Sequence, residues 1–216
     1  MEPIVSGVGV LDKALGLLRH LEPGPATLAE LVERSGQSRA TVHRLLTALA
    51  AHDLVRRADG RYALGWRLVT LGRAAQDSAD LAQLARPALE RLREASGESV
   101  QLYVRSGDER VCLAALDSPD ELRTVVQPGA RLPLDRGSAG AALAGTVGPR
   151  GWVVSIAERA AGVASVSAPV HDGDDIVAAL GVSGPTGRLG DDPGATYGQL
   201  VLDAAAEVTA ALTGAA

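Results

Sequence analysis

The strongest constraint on this chain lies between residues 8 and 64, where three short apolar stripes of helical period lead directly into two β-rich runs. Leu11, Ala14, Leu15, Leu18 and Leu21 follow the i, i+3, i+4, i+7 spacing that buries one stripe of a helix from about Val8 to His20. Pro23-Gly24-Pro25 stops that helix. Thr27 and Glu30 have the spacing of a capping box and open a second helix that buries Leu28, Leu31 and Val32. Gly36 suits the left-handed residue that ends it, and Ser38 is an N-cap for a third helix. There Val42, Leu45, Leu46 and Leu49 share one face, while Arg39, Thr41 and Arg44 share the other, with His43 to one side. Leu54–Arg57 and Arg61–Leu64 flank Ala58-Asp59-Gly60, which predicts a hairpin. Three helices followed by a basic hairpin predict a winged helix-turn-helix.

That motif places the N-terminal turns of its second helix against base edges in the major groove of duplex DNA. Arginine grips guanine there, and small polar or methyl-bearing side chains meet adenine or thymine. Ser38, Arg39, Thr41, His43 and Arg44 are the candidates for that contact, and Arg56, Arg57 and Arg61 on the hairpin are candidates for phosphate. A net charge of −5 argues against a nucleic-acid partner until the chain is divided. Residues 1–75 carry 10 Lys+Arg against 7 Asp+Glu, and the remainder carries 11 against 19. The basic footprint is thus confined to the front third.

A further helix is expected to start near Trp66 and to form a connector over 66–80, with Pro87 breaking it, kinking it or opening a new helix. Leu81, Leu84, Ala85, Ala88 and Leu92 then give a helical stripe ending at Gly97. Two β-rich pairs, 99–105 with 110–116 and 163–170 with 176–183, flank turn sequences, and Tyr197, Leu200, Val201, Ala204, Val208 and Leu212 recur with helical period. An antiparallel sheet flanked by helices, an α+β layout, is the natural architecture. The expected division is a winged helix-turn-helix domain over 1–65, a linker helix over 66–80 and a second domain over 81–216.

Several function classes drop out. No apolar run reaches the roughly 18 to 20 residues that span a membrane, and no secretory signal is visible at the N-terminus. The single cysteine, Cys112, suits a reducing compartment, so the cytoplasm is the expected location, and its apolar strand reads as a small buried hydrophobe rather than a redox sensor. His20, His43, His52 and His171 are scattered, so no metal is expected, nor any cofactor. Gly137-Ser138-Ala139-Gly140 lacks the Lys-Ser/Thr of a P-loop, and Gly181-Val182-Ser183-Gly184 is not a nucleophile elbow, so no enzyme is expected. Amides at a helix start near Ser138 are nonetheless able to hold a carboxylate.

Taken in order, Gly9-Val10-Leu11-Asp12-Lys13-Ala14, Ser38-Arg39-Ala40-Thr41-Val42-His43-Arg44-Leu45-Leu46, Gly97-Glu98-Ser99-Val100-Gln101-Leu102, Gly162-Val163-Ala164-Ser165 and Ala178-Ala179-Leu180-Gly181-Val182-Ser183-Gly184-Pro185 resemble the IclR family of bacterial regulators. Within it they look most like actinobacterial regulators of amino-acid metabolism, leucine biosynthesis included. The resemblance implies a C-terminal effector domain of GAF/profilin-like fold that senses a small metabolite, a carboxylate or amino-acid-related compound. It also implies a repressor or activator acting as a homodimer or homotetramer on operator DNA. The family's pocket positions fall on Ser138, Ala139, Ser155, Ser165, Gly181 and Ser183.

The chain departs from the family in several places. Many members carry an acidic residue at Ser155, a serine at Gly181, and Pro-Lys-Ser where this chain has Ser38-Arg39-Ala40. Between Ala144 and Trp152 the family has a longer, partly helical segment, replaced here by seven residues. Either the pocket lacks part of its wall or a stretch is missing from the sequence. These departures keep open an alternative in which the C-terminal domain is a ligand-free oligomerisation scaffold.

Overall fold

The computed structural model describes residues 6–77 and 80–214. The chain divides into two compact units, 1–78 and 79–216.

The first unit is the expected winged helix-turn-helix. Helices α1 (Gly9–Leu21), α2 (Leu28–Ser35) and α3 (Arg39–Ala51) surround a core of Leu17, Leu21, Leu31, Val42, Leu45, Leu46 and Leu49. The capping box closes both ways. The Thr27 amide donates to the Glu30 carboxylate at 2.6 Å, and the Glu30 amide donates to Thr27 Oγ1 at 3.3 Å. Gly36 ends α2 at φ 64°, and Ser38 Oγ caps α3 by accepting from the Thr41 amide at 3.3 Å.

Strands β2 (Val55–Ala58) and β3 (Arg61–Leu64) form the wing. Asp59 and Gly60 both adopt positive φ, 52° and 75°, as a two-residue type I′ turn requires. A third strand, β1 (Ala26–Thr27), pairs with β3 and was not anticipated, being two residues long. Helix α4 (Trp66–Asp77) follows.

One stripe needs correction. Leu11 and Leu15 of α1 are exposed, and Leu17 is fully buried instead. Helix α1 carries more leucines than one face holds. The face that meets α2, α3 and β3 is the one through Leu17 and Leu21, with Ala14 and Leu18 beside it.

The second unit is α+β, as expected. Its six strands, β4 (Ser99–Ser106), β5 (Glu109–Leu116), β6 (Arg131–Pro133), β7 (Val153–Ile156), β8 (Val163–Asp172) and β9 (Asp175–Pro185), form one antiparallel sheet in the order β6-β5-β4-β9-β8-β7. Helices α5 (Asp80–Ser96) and α8 (Pro193–Leu212) cover one face. Helix α6 (Ser138–Leu143) covers the other, and α7 (Thr186–Leu189) is a single turn after β9.

Strand alternation decides what each face receives. Val100, Leu102, Val166, Ala168, Leu180 and Val182 point toward α5 and α8. Their neighbours Gln101, Tyr103, Ser165, Ser167, Gly181 and Ser183 therefore point to the α6 side.

Pro87 neither breaks α5 nor opens it, but sits in its interior. An interior proline costs about 3 kcal/mol. The buried stripe of Ala85, Ala88, Leu89 and Leu92 packed on α8 and the sheet outweighs that, while Leu84 of the expected stripe is exposed. Residues 78–79, between α4 and α5, lie outside the described residues. Between α6 and β7 the short connection folds back on itself, with the Thr146 amide bonded to Ala141 O at 2.9 Å and the Gly151 amide to Gly148 O at 3.0 Å. Trp152 then lies against α8 at Gly198, where a Cβ would come within 2.2 Å of its ring.

Candidate nucleic-acid interface and ligand pocket

Helix α3 presents Arg39, His43 and Arg44 on its exposed face, and Thr41 is half-buried. Ser38 and Thr41 bond to each other through their hydroxyls at 2.9 Å, so both are already engaged in the helix cap. A concave surface brings Arg39 and His43 together with Arg57, Gly60 and Tyr62 of the wing and Thr27, Leu28 and Ala29 at the start of α2. The start of α2 was missed by sequence reasoning, although its capping box marks where free amides point outward. Arg57 lies over the Tyr62 ring at 5.5 Å. Arg56 points to the other side of the wing, over the Trp66 ring at 5.3 Å.

Arg61 is tied into the fold. Its Nε and Nη2 donate to Pro25 O at 3.2 and 2.9 Å, and Nη2 meets the Glu30 carboxylate at 3.2 Å. Of the eight predicted contact residues, Arg39, His43 and Arg57 share one groove. Arg44 lies elsewhere on the exposed face of α3.

In the second unit, Ser138, Ala139, Ser165 and Ser183 line one cavity with Gln101, Tyr103, Arg110, Gly137, Arg159, Ser167 and Val182. Ser155 is buried beside this group but does not line the cavity. Ser138 Oγ bonds to Ser165 Oγ at 2.7 Å and to Ser167 Oγ at 2.8 Å, and Ser183 Oγ donates to Gln101 Oε1 at 3.0 Å. The space left between these groups is about 20 Å³, room for a water molecule and little more. At Gly181 a Cβ would lie 2.4 Å from Ser167 Oγ, so the Ser167 hydroxyl occupies the place where a side chain at 181 would stand. The Gly137 amide, at the start of α6, is already taken by the Glu158 carboxylate at 3.1 Å.

Sequence reasoning missed Arg110. It is 2% exposed, and Nη1 donates to the carbonyls of Pro133 and Arg136. Its guanidinium lies over the Tyr103 ring at 5.4 Å. Burial pushes its pKa down and that of the Tyr103 phenol up, and burial raises the Cys112 thiol to about 12.

With that geometry in place, the comparisons with known proteins are specific. Residues 10–59 match the IclR helix-turn-helix domain, and residues 73–147 and 145–210 match the bacterial transcriptional regulator IclR C-terminal domain. The HTH-type transcriptional repressor AllR of Escherichia coli strain K12 is 26% identical over 98% of this chain and 93% of its own. The acetate operon repressor of Salmonella typhimurium is 28% identical over the same shares. An IclR homologue from Microbacterium hydrocarbonoxydans, solved with 4-hydroxybenzoate, superposes with a TM-score of 0.78 at 21% identity, covering 95% of this chain and 99% of that one. The chain belongs to the IclR family of bacterial transcriptional regulators: it is a DNA-binding regulator with a C-terminal effector domain, and its relatives are regulators rather than enzymes.

The alignment with AllR spans 252 positions, more than the 216 residues of this chain, so this chain is the one carrying gaps. The two C-terminal matches meet at 145–147, inside the short connection between α6 and β7. Among the described residues no helix is long and apolar enough to cross a membrane.

Proposed function

We propose that the protein works in the cytoplasm as a homodimer or homotetramer whose α3 helices enter successive major grooves of an operator. The half-sites would lie about one helical turn, roughly 34 Å, apart. Arg39, His43 and Arg44 meet base edges, Arg56 and Arg57 hold phosphates, and Ser38 and Thr41 fix the helix start from which the others project. The observation that carries this reading is the groove in which Arg39, His43 and Arg57 converge beside the start of α2. Arg61 contributes by fixing the wing to Pro25 and Glu30.

The test begins with selection of bound sequences from a random duplex pool. Arg44→Ala should then weaken binding to the selected sequence by about 1–3 kcal/mol and flatten the preference at one position. An unchanged preference removes Arg44 from base readout.

The same reading places a small effector among Ser138, Ala139, Ser165 and Ser183, with Ser155 supporting Ser165 from the neighbouring strand. The 4-hydroxybenzoate held by the Microbacterium homologue supports it. Effector binding shifts operator affinity by a coupling of about 1–3 kcal/mol. One observation favours the scaffold alternative, namely that the cavity is nearly filled by its own hydroxyls. Calorimetric titration of small carboxylates, branched-chain amino acids and 4-hydroxybenzoate into the full protein separates the two. A saturable heat lost in Ser183→Ala supports the effector site, and a flat titration across the panel supports the scaffold.

A further inference from the structure

Three of the five aromatic residues in this chain, Tyr62, Trp66 and Tyr103, lie under an arginine guanidinium. Tyr62 and Tyr103 are buried and belong to the cores in any case. Trp66, the first residue of α4, is 71% exposed and alone among the five is left in water. Packing therefore gives no reason for so large a ring at that position. What the ring does meet is Arg56, whose guanidinium carbon lies 5.3 Å from the ring centroid. That is inside the distance, about 6 Å, over which a cation is drawn to an aromatic face.

The local backbone brings the two together. Arg57 stands opposite Tyr62 across the wing, and Arg56 stands opposite Ala63. Successive strand residues point to opposite faces, so the two arginines occupy the two sides of the wing, and on its own side Arg56 meets only a methyl group from β3. Its ring comes from α4 instead. Gly65 joins β3 to α4 so closely that a Cβ there would stand 1.9 Å from Asp53 O, and Asp53 itself adopts φ 55°. The Gly65 amide donates to Leu54 O at 2.9 Å, and the Arg67 amide donates to Asp53 O at 3.3 Å. These bonds seat the start of α4 beside the start of the wing, and Trp66 with it. Arg56, Trp66 and Arg67 then line one concave surface with Asp53 and Thr70, and neither arginine forms an ion pair among the described residues.

We propose that Trp66 is a positioning residue for DNA binding. Its indole face holds Arg56 on the outer side of the wing, where the guanidinium meets a backbone phosphate beyond the groove served by Arg39, His43 and Arg57. The ring narrows the conformations of a long side chain before DNA arrives, so less freedom is lost on binding. A guanidinium lying over a ring also keeps its N–H edge free to donate to phosphate oxygens, an edge that a carboxylate partner would occupy. The wing thus touches the duplex from both of its faces. The role of Trp66 rests on Arg56 being a phosphate contact and adds how that contact is prepared.

The experiment measures affinity of the full-length protein for the duplex selected from the random pool, by fluorescence anisotropy at a series of salt concentrations. The variants are Arg56→Ala, Trp66→Leu, Trp66→Tyr and the double variant Arg56→Ala with Trp66→Leu. Arg56→Ala should lower the slope of log affinity against log salt by about 1, the signature of one lost phosphate contact. Trp66→Leu keeps apolar bulk and helix propensity but has no aromatic face, and it should weaken binding about two- to fivefold. Trp66→Tyr should restore most of that loss. In the Arg56→Ala background, Trp66→Leu should cost nothing further. Trp66→Leu should also keep the assembly mass of the parent. An equal loss with and without Arg56 overturns the inference, and so does a lower assembly mass, since the ring then serves contact between copies. A lowered slope in Arg56→Ala beside full affinity in Trp66→Leu overturns it while leaving Arg56 on phosphate. An unchanged slope in Arg56→Ala overturns both.

Discussion

At the scale of single residues, alternation along a strand settles questions that composition leaves open. Cys112 was expected in an apolar strand as a buried hydrophobe, and it lies 1% exposed in the layer beneath α6. Burial raises its thiol to about 12, because desolvation penalises the thiolate, which is the reactive form. The folded protein should therefore resist a thiol reagent at pH 8, and the full count of one thiol per chain should appear only on denaturation. Rapid labelling of the native protein would show a thiol more open than this. The same alternation was the missed signal for Arg110. It stands two residues from Cys112 on β5, so a strand that buries one buries the other. Read alone, an arginine in a strand suggests a solvated edge, and only the register with Cys112 turns it inward. Gly181 shows the reverse case. Its departure from the family's serine reads as a lost polar group, yet the Ser167 hydroxyl on the paired strand stands in that space.

Elements were legible where local chemistry alone fixes them. The capping box, the Gly36 terminus and the Asp59-Gly60 turn each need particular residues at particular φ values, so the sequence declares them. Strands β1, β6 and β7 run two to four residues, too short for any period to register, and they exist because a neighbouring strand offers its edge. The exposed leucines of α1 were illegible for another reason, since only its partners decide which apolar stripe is covered.

The capping box also carries a pH signature. The Thr27 amide, then its hydroxyl, then Arg61 and Arg34 hold the Glu30 carboxyl below its ordinary 4.5, against the opposing effect of burial. A depressed pKa means the folded unit gains from the ionised form, so the gain is complete above 4.5 and lost as pH falls through the lower folded value. Acid titration of helicity should show the parent losing stability in that window, and Glu30→Gln should lack that part of the slope. Identical acid profiles would show that the cap contributes nothing through charge.

At the scale of the whole molecule, each unit has its own core, Leu17 to Tyr62 in one and Ala85 to Val208 in the other. The division at 78/79 separates those cores and falls within the stretch 66–80 expected to form the connector. Residues 79–216 expressed alone should fold, with a cooperative thermal transition and the far-ultraviolet spectrum of a mixed sheet and helix protein. A fragment without a cooperative transition would show that the second core needs the first. The acidic balance of the chain is likewise a property of the whole that misleads about its parts, because residues 1–75 alone carry more Lys+Arg than Asp+Glu, with Arg39 and Arg57 meeting in the groove of α3 and the wing.

The central pairing of the sheet has a consequence in time. Strand β4 finds β9 only through contacts such as Ser99 with Ser183, 84 residues later in the chain, whereas the first unit is built from neighbours. At a synthesis rate of about 5–20 residues per second, the ribosome takes about 4–17 s to deliver the second partner after the first. Helical, locally connected units fold far faster than that. Every newly made copy therefore passes through a period in which its DNA-binding unit is finished and its sensing unit has no pocket. For those seconds the nascent chain carries a folded helix-turn-helix and no completed sheet on which a metabolite could act.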